Sequence, residues 1–101
     1  MTSAIALFYG WVYDLMDEVA AWTAGTGVPS QMARGLVLEM VRGAAVMALA
    51  QPDQDLAAML DTLATPGGIT ERGLNVLHQR GGLAAWTEAL EAVLSHLRGD
   101  W

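Results

Sequence analysis

Thr65-Pro66-Gly67-Gly68-Ile69-Thr70 is a turn that feeds straight into a helix. Proline cannot continue a preceding helix, and two glycines lift the steric limits on the backbone, so the chain must break here. From Ile69 the residues read as helical until Gly81-Gly82, which accept the left-handed dihedrals of a helix end. Beyond them Leu83, Trp86, Leu90, Val93, Leu94 and Leu97 recur at helical spacing, with Glu88 and Glu91 outside the stripe. The turn also has a chemical meaning. N–H groups at a helix start lack intrahelical partners, and the macrodipole adds about half a positive charge there, so the natural guest is an anion such as a carboxylate. Gly67 and Gly68 permit close approach, and Thr70 can add a hydroxyl beside Ile69. An ordinary turn between two helices is the alternative reading of the same residues.

Upstream, breakers divide the rest of the chain in the same way. Gly25-Thr26-Gly27 and Pro29 separate two long helices, and Pro52 stops the second. Asp53 has the short oxygen-bearing side chain of a helix cap, and Leu56, Met59, Leu60 and Leu63 follow at i, i+3, i+4, i+7 spacing. Seventeen Ala, fourteen Leu and six Met stand against eight Val and two Ile, a balance that favours helix over sheet. The expectation is an all-α, five-helix bundle forming a single domain over 1–101, with helices near 3–24, 29–51, 53–64, 68–80 and 82–98.

The first helix has too much apolar surface for one neighbour. Ile5, Tyr9, Val12, Met16 and Val19 form one stripe; Phe8, Trp11, Leu15 and Trp22 form a second beside it; only Asp14, Asp17 and Glu18 mark a wet side. In the second helix Gly35, Gly43, Ala44, Ala45 and Ala48 allow close backbone approach. Burying eight large apolar side chains across a two-fold interface contributes ~12–24 kcal/mol gross at about 1.5–3 kcal/mol each, against an association cost of ~4–15 kcal/mol. A homodimer, or an assembly of dimers, is expected, with Phe8, Trp11, Leu15, Trp22, Gly43 and Met47 at the interface. A monomeric bundle with a central first helix, and an open groove that receives a partner peptide on Trp11 and Trp22, are the other arrangements the pattern permits.

Composition narrows the functional classes. Of 101 residues 53% are hydrophobic, and 11 acidic groups outnumber 5 basic ones for a net charge of -6. That balance, with five scattered arginines, argues against nucleic acid and anionic membrane as partners. The longest apolar run, Ala4 to Tyr13, falls short of the ~20 residues that span a bilayer, and nothing basic precedes Arg34 as a secretory leader would require. A cytoplasmic protein is expected. Cysteine is absent, which removes disulfides, thiolate metal sites and a cysteine nucleophile. His78 and His96 lie on different expected helices without ligand spacing, so no metal site is expected. Ser3, Ser30 and Ser95 lie in no nucleophile-elbow turn. Asp14, Asp17 and Glu18 read as a solvated face, and Gly25-Thr26-Gly27-Val28-Pro29-Ser30 follows a helix and lacks the third glycine of a dinucleotide fingerprint.

Taken together, Thr65-Pro66-Gly67-Gly68-Ile69-Thr70, Leu74-Asn75-Val76-Leu77, Arg80-Gly81-Gly82-Leu83 and Glu88-Ala89-Leu90-Glu91-Ala92 resemble the C-terminal dimerisation domain of pyrroline-5-carboxylate reductases. Gly27-Val28-Pro29 with Ala33, and Arg42-Gly43-Ala44-Ala45, extend the likeness over nearly the whole chain. The resemblance implies the helical bundle of the 6-phosphogluconate-dehydrogenase C-terminal type and an intertwined dimer. It implies an enzyme of proline biosynthesis in which a separate Rossmann domain, outside this chain, holds NAD(P)H and hydride passes to a cyclic imino acid. The chain alone is then expected to be inactive. Carried onto this sequence, the N–H groups of Gly68, Ile69 and Thr70 beside Gly67, with the Thr70 hydroxyl, hold the substrate carboxylate. One departure bears on the substrate: Ile5 to Trp11 stand where the family has a small-residue Ser-Gly-Ser-Gly-Pro-Ala-Tyr segment, so Ile5, Leu7, Phe8 and Tyr9 reshape that pocket.

Overall fold

The structure, a computed structural model, describes residues 2–99. Five helices follow in order: α1 Thr2–Gly25, α2 Ser30–Leu49, α3 Leu56–Leu63, α4 Ile69–Gln79 and α5 Gly82–Leu97. Among the described residues there is no strand, and the fold is all-α as the composition requires. No helix among them is long and apolar enough to cross a membrane. The chain divides into two compact units, Met1–Gln54 and Asp55–Trp101.

In the first unit α1 and α2 pack as a helical hairpin. Two bonds close its turn, from the N–H groups of Thr26 and Gly27 to the carbonyls of Thr23 and Ala24, both 3.1 Å. Pro29 has φ -54 and ψ 139, and its carbonyl accepts the first helical bond of α2, from Ala33 N–H at 2.9 Å. Proline therefore precedes the first helical residue and does not occupy it, a shift of one position from the expected start. Ala33 and Val37, one turn apart on α2, are 0% and 3% exposed and are the buried apolar residues of the described chain. On α1 Val12 and Met16 of the first stripe are half-buried, as are Ala20 and, from the second stripe, Trp11. Ile5, Tyr9 and Val19 of the first stripe stay exposed.

In the second unit α3 starts three residues later than expected. Asp53 falls in the turn closed by Gln54 N–H on the Gln51 carbonyl at 3.1 Å, and the cap position is Asp55, whose side chain makes no capping bond. With Asp on both sides of Gln54, composition could not choose between them; the turn that follows Pro52 does. α4 and α5 pack together. α4 ends at Gln79 with Arg80 as its cap, and Gly81 then takes φ +75, which a side chain would strain.

Candidate functional site

The turn before α4 is built from its own residues. Gly68 N–H donates to the Thr65 carbonyl at 3.0 Å, which closes the turn, and Gly67 adopts φ +78. Gly68 lies against Thr65 so closely that a Cβ would sit 2.7 Å from Thr65 Oγ1 and 3.1 Å from its carbonyl oxygen. Glycine is thus favoured at 67 by dihedral angle and at 68 by space, since a Cβ at 68 forces Thr65 to shift. Gly67 N–H donates to Glu71 Oε1 at 3.0 Å. Glu71 is the third residue of α4, the place from which an acidic side chain reaches back over a helix start.

This arrangement leaves two backbone donors of the predicted four-residue cradle engaged within the turn, those of Gly67 and Gly68. The N–H groups of Ile69 and Thr70, and the Thr70 hydroxyl, have no acceptor within the described chain. Ile69 is 91% exposed, and Thr70 is exposed beside it. The turn can offer two unpaired N–H donors and one hydroxyl to an anion, with the dipole of an 11-residue helix behind them. Glu71 is the residue that sequence reading missed; its signal was an acidic side chain three positions after the cap glycine.

The predicted interface residues lie at the surface of the first unit. Phe8, Leu15, Trp22 and Met47 are exposed, Trp22 at 71%, while Trp11 and Gly43 are half-buried. Tyr9 and Tyr13, one turn apart on α1, approach with ring centroids 6.4 Å apart at 42°. Between α1 and α2 runs an open groove of about 380 Å³ with Ala20, Ala21 and Ala24 among its lining residues. Asp17 and Arg34 also line it, and neither has a salt-bridge partner among the described residues, where the one ion pair joins Arg42 to Glu39 at 3.4 Å.

The other candidate chemistry finds no support in the geometry. Among the described residues no group of three or more His, Asp or Glu could hold a metal ion. His78 and His96 fall in the last turns of α4 and α5, and Asp14, Asp17 and Glu18 are exposed on α1.

A sequence model of the family described as pyrroline-5-carboxylate reductase dimerisation matches residues 1–99. Pyrroline-5-carboxylate reductase 3 of Xenopus laevis is 35% identical over 82 residues, which are 81% of this chain and 30% of that protein. The chain therefore spans less than a third of the length of the curated relative it matches. No solved structure matches it. A dimerisation-family match over residues 1–99 and a helical fold with almost no core of its own agree: the chain belongs to the pyrroline-5-carboxylate reductase dimerisation family.

Proposed function

We propose that this chain is the dimerisation and substrate-positioning domain of an NAD(P)H-dependent reductase of cyclic imino acids, working in the cytoplasm as an intertwined homodimer or an assembly of dimers. Both units serve that one domain. The observation that carries the reading is the mismatch between core and surface. Among the described residues two are buried, while large apolar side chains from Ile5 to Leu97 stand exposed on every helix. A soluble helical chain rarely exposes so much apolar surface unless a partner covers it, and the family's description supplies a like chain as that partner.

Substrate positioning is supported by the start of α4. A carboxylate there accepts from Ile69 N–H, Thr70 N–H and the Thr70 hydroxyl, and such charge-assisted bonds are short and directional. Holding the acid end of a cyclic imino acid fixes where its C=N carbon lies. The nicotinamide cofactor would supply the hydride. Holding a dinucleotide calls for a strand, a Gly-rich turn and a helix, and the described residues offer helices alone, so they do not fit the cofactor and its site belongs to other parts of the enzyme.

A second reading, a structural module without catalysis, has one observation in its favour: Glu71 already brings a carboxylate to the turn. One measurement tests the dimerisation that both readings share, and a second separates them. Sedimentation equilibrium of the chain over a concentration series is expected to give a dimer or a multiple of dimers; a monomer at all concentrations overturns the dimerisation reading. Thr70→Ala in the full-length enzyme is expected to raise KM for an imino acid about tenfold, the loss of one hydrogen bond to a charged group. Unchanged kinetics overturn the substrate-positioning reading and favour the structural module.

A further inference from the structure

Methionine is the sulfur this chain offers, since cysteine is absent, and its placement is uneven. Met32, Met40 and Met47, all on α2, are 58%, 60% and 59% exposed, whereas Met16 on α1 and Met59 on α3 are half-buried. At 100° per residue the three exposed methionines fall within an arc of about 80°. Leu36 and Gly43 lie in the same arc, and no charged side chain does. Glu39 and Arg42, paired with each other at 3.4 Å, stand outside it. The buried Ala33 and Val37 border it on the other side.

Met32 and Met47 are about 22 Å apart along the axis at 1.5 Å per residue, too far to ligate one soft cation together. The arc offers instead exposed thioether sulfur, the group that a hydroperoxide converts to sulfoxide. A sulfur lone pair attacks the terminal oxygen of the hydroperoxide. The S–O bond forms as the O–O bond breaks, sulfur gives up two electrons, and the hydroxyl proton passes to the leaving oxygen, which departs as water or an alcohol. The product changes the surface. A flexible apolar side chain becomes a polar one with an acceptor oxygen, and the arc has no side-chain donor to pair with it, being Met, Leu and Gly throughout. Burying that oxygen unpaired is unfavourable.

We infer that Met32, Met40 and Met47 form an oxidation site whose sulfoxides keep the chain from associating with its like. This rests on the proposed dimerisation and adds a control over it. The arc is a part of α2 that a like chain can cover, and Gly43, without a Cβ, lets a helix come close. Association then shields the sulfurs, so oxidation proceeds through the free chain and removes it from the equilibrium.

The test treats the whole chain with excess hydrogen peroxide and assigns sulfoxides by peptide mass spectrometry. Met32, Met40 and Met47 are expected to react ahead of Met16 and Met59, and more slowly as chain concentration rises through the dimer dissociation constant. In sedimentation equilibrium the oxidised chain is expected to show that constant raised by about tenfold or more, and methionine sulfoxide reductases of both stereospecificities are expected to restore it. Met32→Leu, Met40→Leu and Met47→Leu combined keep the volume and remove the sulfur; this variant is expected to dimerise and to stay dimeric through the same treatment. Sulfoxide at the three positions with an unmoved dimer overturns the proposal and leaves the dimerisation reading standing. So does earlier reaction at Met16 and Met59, or a triple variant that dissociates under peroxide as readily as the unaltered chain. Should that variant not fold, the reductases decide: an oxidised chain that does not reassociate on reduction overturns the proposal. An untreated chain that is monomeric at every concentration overturns both.

Discussion

Gly67, Gly68 and Glu71 show how much of the turn before α4 is decided by single side chains. The 3.0 Å bond from Gly67 N–H to Glu71 Oε1 places a negative charge at the positive end of α4, an arrangement that contributes about 0.3–1 kcal/mol where both groups are exposed. Glu71→Ala is therefore expected to lower chain stability by that amount in urea unfolding at matched protein concentration, with the dimer intact. Gly68→Ala should cost more, about 1–3 kcal/mol, because the new Cβ would meet Thr65 Oγ1 at 2.7 Å and the rigid Thr65 carbonyl at 3.1 Å. If the two variants are equally mild, the turn yields to a Cβ and Gly68 is not held there by space. The residue pattern made this turn legible, since Pro66, Gly67 and Gly68 each restrict or release the backbone in a definite way. It did not reveal that Glu71 engages a donor of the proposed anion site, because a Glu after a turn reads equally well as a solvated charge.

At the scale of elements, α1 and α2 were legible as helices and less so as surfaces. The breakers at Gly25 to Pro29 and at Pro52 set their ends within one to three residues. The two stripes on α1 were also visible, yet their division was not: Val12 and Met16 are half-buried, while Ile5, Tyr9 and Val19 stay exposed. Periodicity gives a direction around a helix and says nothing of how large the facing side chains are, which on α2 are mostly alanine and glycine. The exposed second stripe yields a prediction that separates folding from association. Trp22, 71% exposed on α1, contributes little to the hairpin itself. Trp22→Glu is expected to leave helical content unchanged and to weaken the dimer at least tenfold in sedimentation, because a carboxylate would be buried unpaired in an apolar seam. A variant that associates normally would place Trp22 outside the interface. Ala33, fully buried on the same hairpin, should behave in the opposite way: Ala33→Leu overpacks the α1–α2 contact and is expected to lower stability by about 1–3 kcal/mol.

For the molecule as a whole, the decisive quantity is how little each unit buries by itself. In the first, Ala33 and Val37 are the buried residues among those described; in the second, no described residue reaches that level. A chain of 101 residues must offset a conformational entropy of about 1–2 kcal/mol per ordered residue, and two buried side chains of this size contribute only a few kcal/mol. The sequence already carried this conclusion as a surplus of apolar residues without a place to go, and membership of a dimerisation family fits the proposal that a like chain is that place. Folding and association should then be one event, with stability set by concentration. For a dimer that unfolds to two chains, at about 0.7 kcal/mol of unfolding enthalpy per residue, mass action raises Tm by about 3–4 °C for each tenfold increase in protein concentration. Calorimetry from micromolar to hundreds of micromolar chain is expected to show that slope. A Tm that stays constant across the range would mean that each chain is stable alone, and the exposed leucines, methionines and aromatics would then need another partner to explain them.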